Sequence, residues 1–501
     1  MAEQEMQDII VEDPINQLDD SFENEWLSSM LVAQSQLSKN TRSTAEPRIE
    51  RVPQVFLKNE GSQYNYYPRI VSFGPYHHGE PHLASTEKLK TRLMLKFISQ
   101  TGKSITEFYI KIFDLVDYAG KCYVDIDGLR GRFTKREFAQ MMLVDGCSIL
   151  DVIDDCINSQ GESRGIIIAH LGMMGYYHTF FLDMFLLENQ VPFRVLLLLI
   201  RLKYKQEHEG FEVIGNFLKF IYTGVFPGKK KLEESACCSI MKTISFPPIH
   251  LLGLAARLLS EDAPEIMESS PPRWITLWKR SKAQEVEQSM LKVWTWIKFW
   301  KRETQEVEES MHLMHYSQPF PSVKELKRKG IHFKAGRSIS IQEVEFKSHF
   351  CYGELTLPVM IFSPVMKVLY MNLIAFESSQ NTPNSDTSVG SYFCFLNSLV
   401  DDPEDAQVLR RKRILINHKC SDKQMVEMIK EICSQMVIDL GTYMSVKEDI
   451  LGHYGNKMKT WMADLIQDYF RNPWTLIAVL AAFYALFLNS VQTYWTIFRS
   501  P

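Results

Sequence analysis

The chain lacks most of the patterns by which chemistry shows itself in a sequence. Its nine cysteines are odd in number, scattered, and form no C-x-x-C pair, which excludes a zinc ribbon and a disulfide framework. Cys237 and Cys238 are adjacent, a spacing too short for ordinary bridge geometry, so reduced thiols in the cytosol are the simplest account. There is no basic excess: 56 Lys and Arg face 60 Asp and Glu, for a net charge of -4. That excludes nucleic acid as the main partner, because phosphate neutralisation needs a basic face. The opening MAEQEMQDII has neither a basic n-region nor an apolar h-region, so it is not a secretory signal. No Asn-x-Ser/Thr acceptor site is present, which fits a cytosolic face. There is no G-x-S-x-G elbow, kinase loop or H-E-x-x-H.

Several chemical motifs come close and then miss. Gly102-Lys103-Ser104 resembles the end of a P-loop, but Phe97 stands at the required upstream glycine. Gly224 to Gly228 with Lys229 is one residue too short and lacks the hydroxyl residue. Asp125, Asp127 and Gly128 resemble the start of a calcium loop whose first and twelfth ligand positions would be Tyr123 and Thr134, which leaves the cage short of two carboxylates. His77, His78 and His82 cluster on a turn with Gly74, Pro75, Tyr76 and Gly79. Adjacent histidines point apart and no further ligand is identifiable, so a hydrogen-bonded loop is expected rather than a metal site. Glu188, Asn189 and Gln190 follow an apolar stretch and precede Pro192. Their side chains are suited to the orphan carbonyls and amides of a buried helix junction. No catalytic, cofactor or metal set emerges.

What is present is a body of mainly α texture with minor β, 45% apolar, read as a single large helical domain plus a C-terminal transmembrane helix. Residues 1–47 form an acidic arm: nine acidic residues precede the first basic one, Lys39, as in solvated mobile segments. The domain spans 48–460. Leu89, Leu93, Met94, Phe97 and Ile98 mark a helix entered at Ser85, and Phe138, Met141, Met142 and Ile149 mark another. A third runs from about Tyr176 to Gln190, ending before Pro192, which opens the next helix through Val195–Ile200. Arg69–Phe73, Ile331–Phe333 and Ile414–Ile416 read as strands, and 378–390 as a flexible loop. An insertion at 271–315 contains a tandem repeat, WITLWKRSKAQEVEQSM at 274–290 and WIKFWKRETQEVEESM at 296–311. Its offset of about six helical turns puts both copies on one helix face.

The one long hydrophobic run is the tail. Residues 461–473 read as a juxtamembrane helix. From Trp474 to Phe498 no side chain is charged, and a helix of this length crosses about 30 Å of hydrocarbon. Trp474, Tyr494 and Trp495 would then lie at the two headgroup levels. Lys457, Lys459 and Arg471 precede the span and Arg499 follows it, a bias for a cytoplasmic bulk. Ala478, Ala482, Ala485, Asn489 and Gln492 recur at spacings of three and four, a stripe of small and amide residues suited to self-association or a partner helix in lipid. The expectation is a tail-anchored, single-pass protein of the plasma membrane or an endomembrane, with the lipid bilayer and an unknown protein as partners.

Ordered blocks along the chain resemble a plant family known as domain of unknown function 247. They are Ile49-Glu50-Arg51-Val52-Pro53; Tyr67-Pro68 through Ser72-Phe73-Gly74-Pro75-Tyr76-His77-His78-Gly79; Glu137-Phe138 through Asp145-Gly146-Cys147; and Asp183 through Pro192. Further blocks are Glu325-Leu326 with Gly330-Ile331-His332-Phe333, Asn372 through Glu377, and Asn472-Pro473-Trp474-Thr475. The resemblance implies a single-domain plant protein with a C-terminal membrane helix and no established enzymatic activity. Some members of that family are associated with self-incompatibility, others with stress or defence. The tandem repeat is not a family hallmark, and Arg413 stands where the family commonly has Gly. The expected function is a membrane-anchored interaction or signalling component. The competing expectation is an enzyme with a site near His77 and His78.

Overall fold

The computed structural model describes residues 48–58, 62–158, 161–172, 174–223, 248–260, 320–336, 340–349, 352–379, 388–418, 420–434, 442–455, 481–482 and 484–493. Met1–Arg48 and Ile49–Pro501 are two separate units. The arm 1–47, the tandem repeat and the segment 461–473 lie outside the described residues.

The second unit is mainly helical. Its N-terminal half holds α1 (Ala84–Ser99), α2 (Ile105–Lys121), α3 (Ile126–Arg132), α4 (Lys135–Asn158), α5 (Glu162–Leu171), α6 (Met174–Asp183), α7 (Phe193–Lys203) and α8 (Glu207–Thr223). Helix α4 is the hub, packing on α1, α2, α5, α7 and α8. Helix α1 turns Leu89, Leu93, Met94 and Phe97 inward on one stripe, the amphipathic pattern of a helix laid on a core. Two near-miss motifs are helix caps. Ser104 Oγ accepts the Glu107 N–H to start α2, and Asp125 Oδ1 accepts the Gly128 N–H at 3.2 Å to start α3.

The C-terminal half contains α9 (Leu251–Ser260), α10 (Val323–Arg328), α11 (Pro364–Ser379), α12 (Ser388–Leu399), α13 (Pro403–Arg411), α14 (Asp422–Ser434) and α15 (Met444–Tyr454). Five short strands accompany them: β1 (Ile331–Ala335), β2 (Glu345–Ser348), β3 (Gly353–Leu357), β4 (Met360–Phe362) and β5 (Leu415–Asn417). Strand β3 lies between β1, which is parallel to it, and β2, which is antiparallel; β4 and β5 form a parallel pair. One apolar core runs from Ile49 to Ile450 and joins the two halves.

Ile331–Phe333 falls in β1 as expected, and Ile414–Ile416 overlaps β5, which is displaced by one residue to Leu415–Asn417. Arg69–Phe73 does not pair as a strand, because side chains rather than a neighbouring strand take its amides. The helix expected to reach Gln190 ends at Asp183, and the loop expected at 378–390 is narrower, since α11 runs to Ser379 and α12 begins at Ser388. At Arg413 the turn forms without glycine: φ is 58°, and the Ile414 N–H reaches back to Leu409 O at 3.1 Å to close the end of α13.

The expected membrane helix is only partly within reach. Residues 484–493 are helical, with Tyr484, Leu486, Phe487 and Leu488 exposed. Ser490 and Thr493 hydroxyls donate to the carbonyls of Leu486 and Asn489, both at 2.8 Å. Ala482, Ala485, Asn489 and Gln492 are exposed, and Ala478 lies outside the described residues. Among the described residues no helix is long and apolar enough to cross a membrane.

Candidate functional site

An extended strip from Arg69 to Gly74 runs through the interior, and side chains from remote elements stitch it in place. The Asp183 carboxylate, at the end of α6, accepts the N–H groups of Arg69 at 3.1 Å, Ile70 at 2.8 Å and Val71 at 3.0 Å. Asn189 Oδ1 accepts the Phe73 N–H at 2.7 Å, and its Nδ2 donates to Val71 O and Asp183 O. Asp145, from α4, accepts the Gly74 N–H at 2.8 Å. Its other oxygen is 2.6 Å from Lys90 Nζ, which also donates to Ser72 O. The Gln190 amide donates to Met184 O and Leu186 O, while its oxygen accepts the Leu252 N–H. A β-strand's amides would go to a neighbouring strand; here two carboxylates and one amide oxygen take the N–H groups of Arg69, Ile70, Val71, Phe73 and Gly74.

Gly74 is fixed by this arrangement. Its φ is +72°, and a Cβ there would overlap the backbone oxygen of Gln190. Only glycine takes that conformation without penalty, and only glycine lets the two chains meet so closely. The same Gln190 carbonyl accepts a hydrogen bond from the Tyr123 hydroxyl at 2.9 Å.

Beyond Gly74 the strip becomes a turn carrying the histidines. His77 is buried, with Nδ1 2.7 Å from Glu80 and Nε2 3.4 Å from Glu188 Oε2. The other Glu188 oxygen accepts the Val52 N–H at 2.8 Å, and Arg51 Nη1 is 3.5 Å from Oε2. Arg51 also lies over the Tyr76 ring, 4.3 Å from its centroid, and the Tyr76 hydroxyl donates to Ile49 O. Arg132 donates to the carbonyls of Pro75 and Tyr76, both at 3.3 Å, and to that of His78. His78 turns elsewhere, 3.9 Å from Glu87 and edge-on to Phe133. His82 lies 3.2 Å from Pro68 O. The structure thus brings His77 and Glu188 together; His82 Nδ1 also approaches the Glu80 carboxylate that His77 uses, at 3.6 Å, while His78 faces Glu87.

Charge states follow from these contacts. Burial alone would lower the His77 pKa, but hydrogen bonds and charge from Glu188 and Glu80 outweigh it and raise it. Burial would raise Glu188, yet His77, the Val52 N–H and Arg51 bring it down. Both shifts favour the imidazolium and carboxylate forms of the pair. Burial lifts Asp183 to about 6 against the lowering effect of its backbone donors, and lifts Asp145 despite Lys90. Both ring nitrogens of His77 face carboxylates, and Ser72 Oγ is committed to Glu87 at 2.9 Å. Among the described residues, no group of three or more His, Cys, Asp or Glu could hold a metal ion.

Asp145 and Asp183 stand in the ordered blocks of the sequence without any sign there of what they hold, and Lys90 lies outside those blocks. Asp145 lies between Met142 and Cys147 on an otherwise apolar face, and Lys90 lies beside Leu89 on the inward stripe of α1. A buried ionisable residue amid apolar neighbours needs a partner.

Residues 49–488 match the pattern of the family described as plant protein of unknown function, domain of unknown function 247. The chain is 26% identical to a UPF0481 protein of Arabidopsis thaliana, over 89% of this chain and 85% of that protein. It is 22% identical to a putative UPF0481 protein of the same plant, over 90% of each. No solved structure matches.

Proposed function

From a chain that belongs to the plant family called domain of unknown function 247, we infer a membrane-anchored interaction protein, its helical body presented to a protein partner from a C-terminal lipid anchor. The observation that carries this reading is the helix at 484–493, whose Tyr484, Leu486 and Phe487 are between 63% and 65% exposed. Four apolar side chains in five residues leave a greasy surface that water disfavours and lipid relieves. The hydroxyls of Ser490 and Thr493 are satisfied by carbonyls of their own helix, as a lipid environment requires. The flanking apolar residues of 474–498 extend the run to spanning length, and the stripe through Ala482, Ala485, Asn489 and Gln492 provides a surface for self-association.

The His77 and Glu188 pair we assign to architecture rather than chemistry. His77 faces Glu80 and Glu188, and Glu188 also takes the Val52 N–H, which fastens the Arg51–Val52 segment to the 184–190 turn. Alkaline carbonate extraction of plant membranes tests the anchor. Full-length protein should stay with the pellet, and a chain ending at Pro473 should wash off. Full-length protein released by carbonate would overturn the reading.

A further inference from the structure

Helices α12 and α14 place two thiols side by side. Cys394 Sγ and Cys433 Sγ are 3.3 Å apart across 39 residues of sequence, and both side chains are partly exposed. A disulfide needs about 2.0 Å between the sulfurs, so the gap is closable by small side-chain movement. We propose that Cys394 and Cys433 form a peroxide-responsive dithiol in which Cys433 is the attacking thiol and Cys394 the resolving one.

The surroundings select this pair. Cys147 and Cys156 are buried and pushed up by burial, Cys156 to about 12, which keeps them as inert thiols. Burial also raises Cys420. Cys433 goes the other way: the hydrogen bond from Cys394, with the nearby Lys447 charge, brings it down to about 7 against the opposing effect of burial. At neutral pH such a thiol is about half thiolate, against a few per cent for an ordinary cysteine. Lys447 comes from α15 and lies 5.3 Å from the Phe320 ring centroid and 5.8 Å from that of Phe395. Its ammonium is thereby held among aromatic faces beside the sulfurs.

The chemistry balances with hydrogen peroxide as oxidant. The Cys433 thiolate attacks one peroxide oxygen, the O–O bond breaks, and the leaving hydroxide takes a proton to become water. Cys433 is then a sulfenic acid. The Cys394 thiol gives up its proton and attacks the Cys433 sulfur; the S–S bond forms, the S–O bond breaks, and the hydroxide leaves as a second water. Two thiols are oxidised by two electrons and one peroxide is reduced. The product fastens the last turn of α14 to α12 and removes the negative charge that Lys447 faces. A dithiol reductant reverses it.

The test uses the full chain in detergent, reduced and then exposed to stoichiometric hydrogen peroxide. Intact mass should fall by about 2 Da, as one disulfide requires, and peptide mapping should recover a cross-link between the Cys394 and Cys433 peptides. In C394S the cross-link should vanish and dimedone should trap a sulfenic acid on Cys433. In K447M that trapping should slow by about threefold to tenfold through the smaller thiolate fraction. A cross-link through other cysteines, or none while Cys433 reacts no faster than Cys420, overturns the proposal. The wild-type mapping decides it even if a variant fails to fold.

Discussion

The strip at 69–77 and the helix at 484–493 invert the ordinary rule of burial in opposite senses. In the first, carboxylates, amides and a lysine are taken out of water: Lys90, Asp145, Asp183 and Asn189 are almost wholly buried. In the second, Leu486 and Phe487 stand in it. The first inversion is resolved within the molecule, because each buried charge finds an opposite charge or a set of backbone donors. The second shows no such internal solution among the described residues, and in the proposed reading lipid supplies it.

The sharpest way to break this contrast is Asp183→Ala. It would strand the N–H groups of Arg69, Ile70 and Val71 in a buried site, and chemical denaturation should show a loss of about 3–5 kcal/mol. Gly74→Ala comes next. It forces a side chain into φ +72° and against the Gln190 carbonyl, for about 2–4 kcal/mol by the same measurement. A wild-type stability after either change would mean that the node is not holding the strip.

His77→Gln sharpens the contrast through pH. The folded-state pKa of His77 lies above its ordinary 6.5, so its stabilisation is complete below pH 6.5 and fades as pH rises through the raised value. Glu188 is depressed below its ordinary 4.5, so its share is present above pH 4.5 and is lost as pH falls through the lowered value. The gap in unfolding free energy between wild type and His77→Gln should therefore be widest between these limits, at about 2 kcal/mol. It should narrow above neutrality, and a gap independent of pH between 5 and 9 would refute the charged pair. The smallest effect belongs to the tail. Leu486→Ser with Phe487→Ser should leave the melting of the body within about 0.5 kcal/mol, while weakening vesicle flotation. A strong loss of body stability would show that these residues pack on the fold after all.

Some of this was visible in the residues and some was not. Helices α1 and α4 follow from the apolar spacing of Leu89, Leu93 and Phe97 and of Phe138, Met141 and Met142, since a helix face repeats every 3.6 residues. Pro192 and Val191 give the helix break that precedes α7. Arg69–Phe73 misleads for a definite reason. Its Ile70, Val71 and Phe73 are strand-forming residues, but such composition says only that the chain is extended, not what accepts its amides. The helix end at Asp183 is hidden likewise, because Phe185, Leu186 and Leu187 continue an apolar run that a helix would accept. What stops the helix is the capture of Asp183 by the strip and of the Met184 and Leu186 carbonyls by Gln190.

The sequence by itself determined the helical character of the body, the absence of recognised catalytic patterns, and a terminal run too apolar to be at ease in water. These depend on composition and local period, which a chain carries wherever it goes. Only the tertiary structure decided that Asp145, Asp183, Glu188 and Asn189 converge on one strip, and that Cys394 meets Cys433. Those encounters join residues from 39 to more than 100 positions apart. Such pairings are set by how whole helices pack, and no local pattern encodes the partner across that distance.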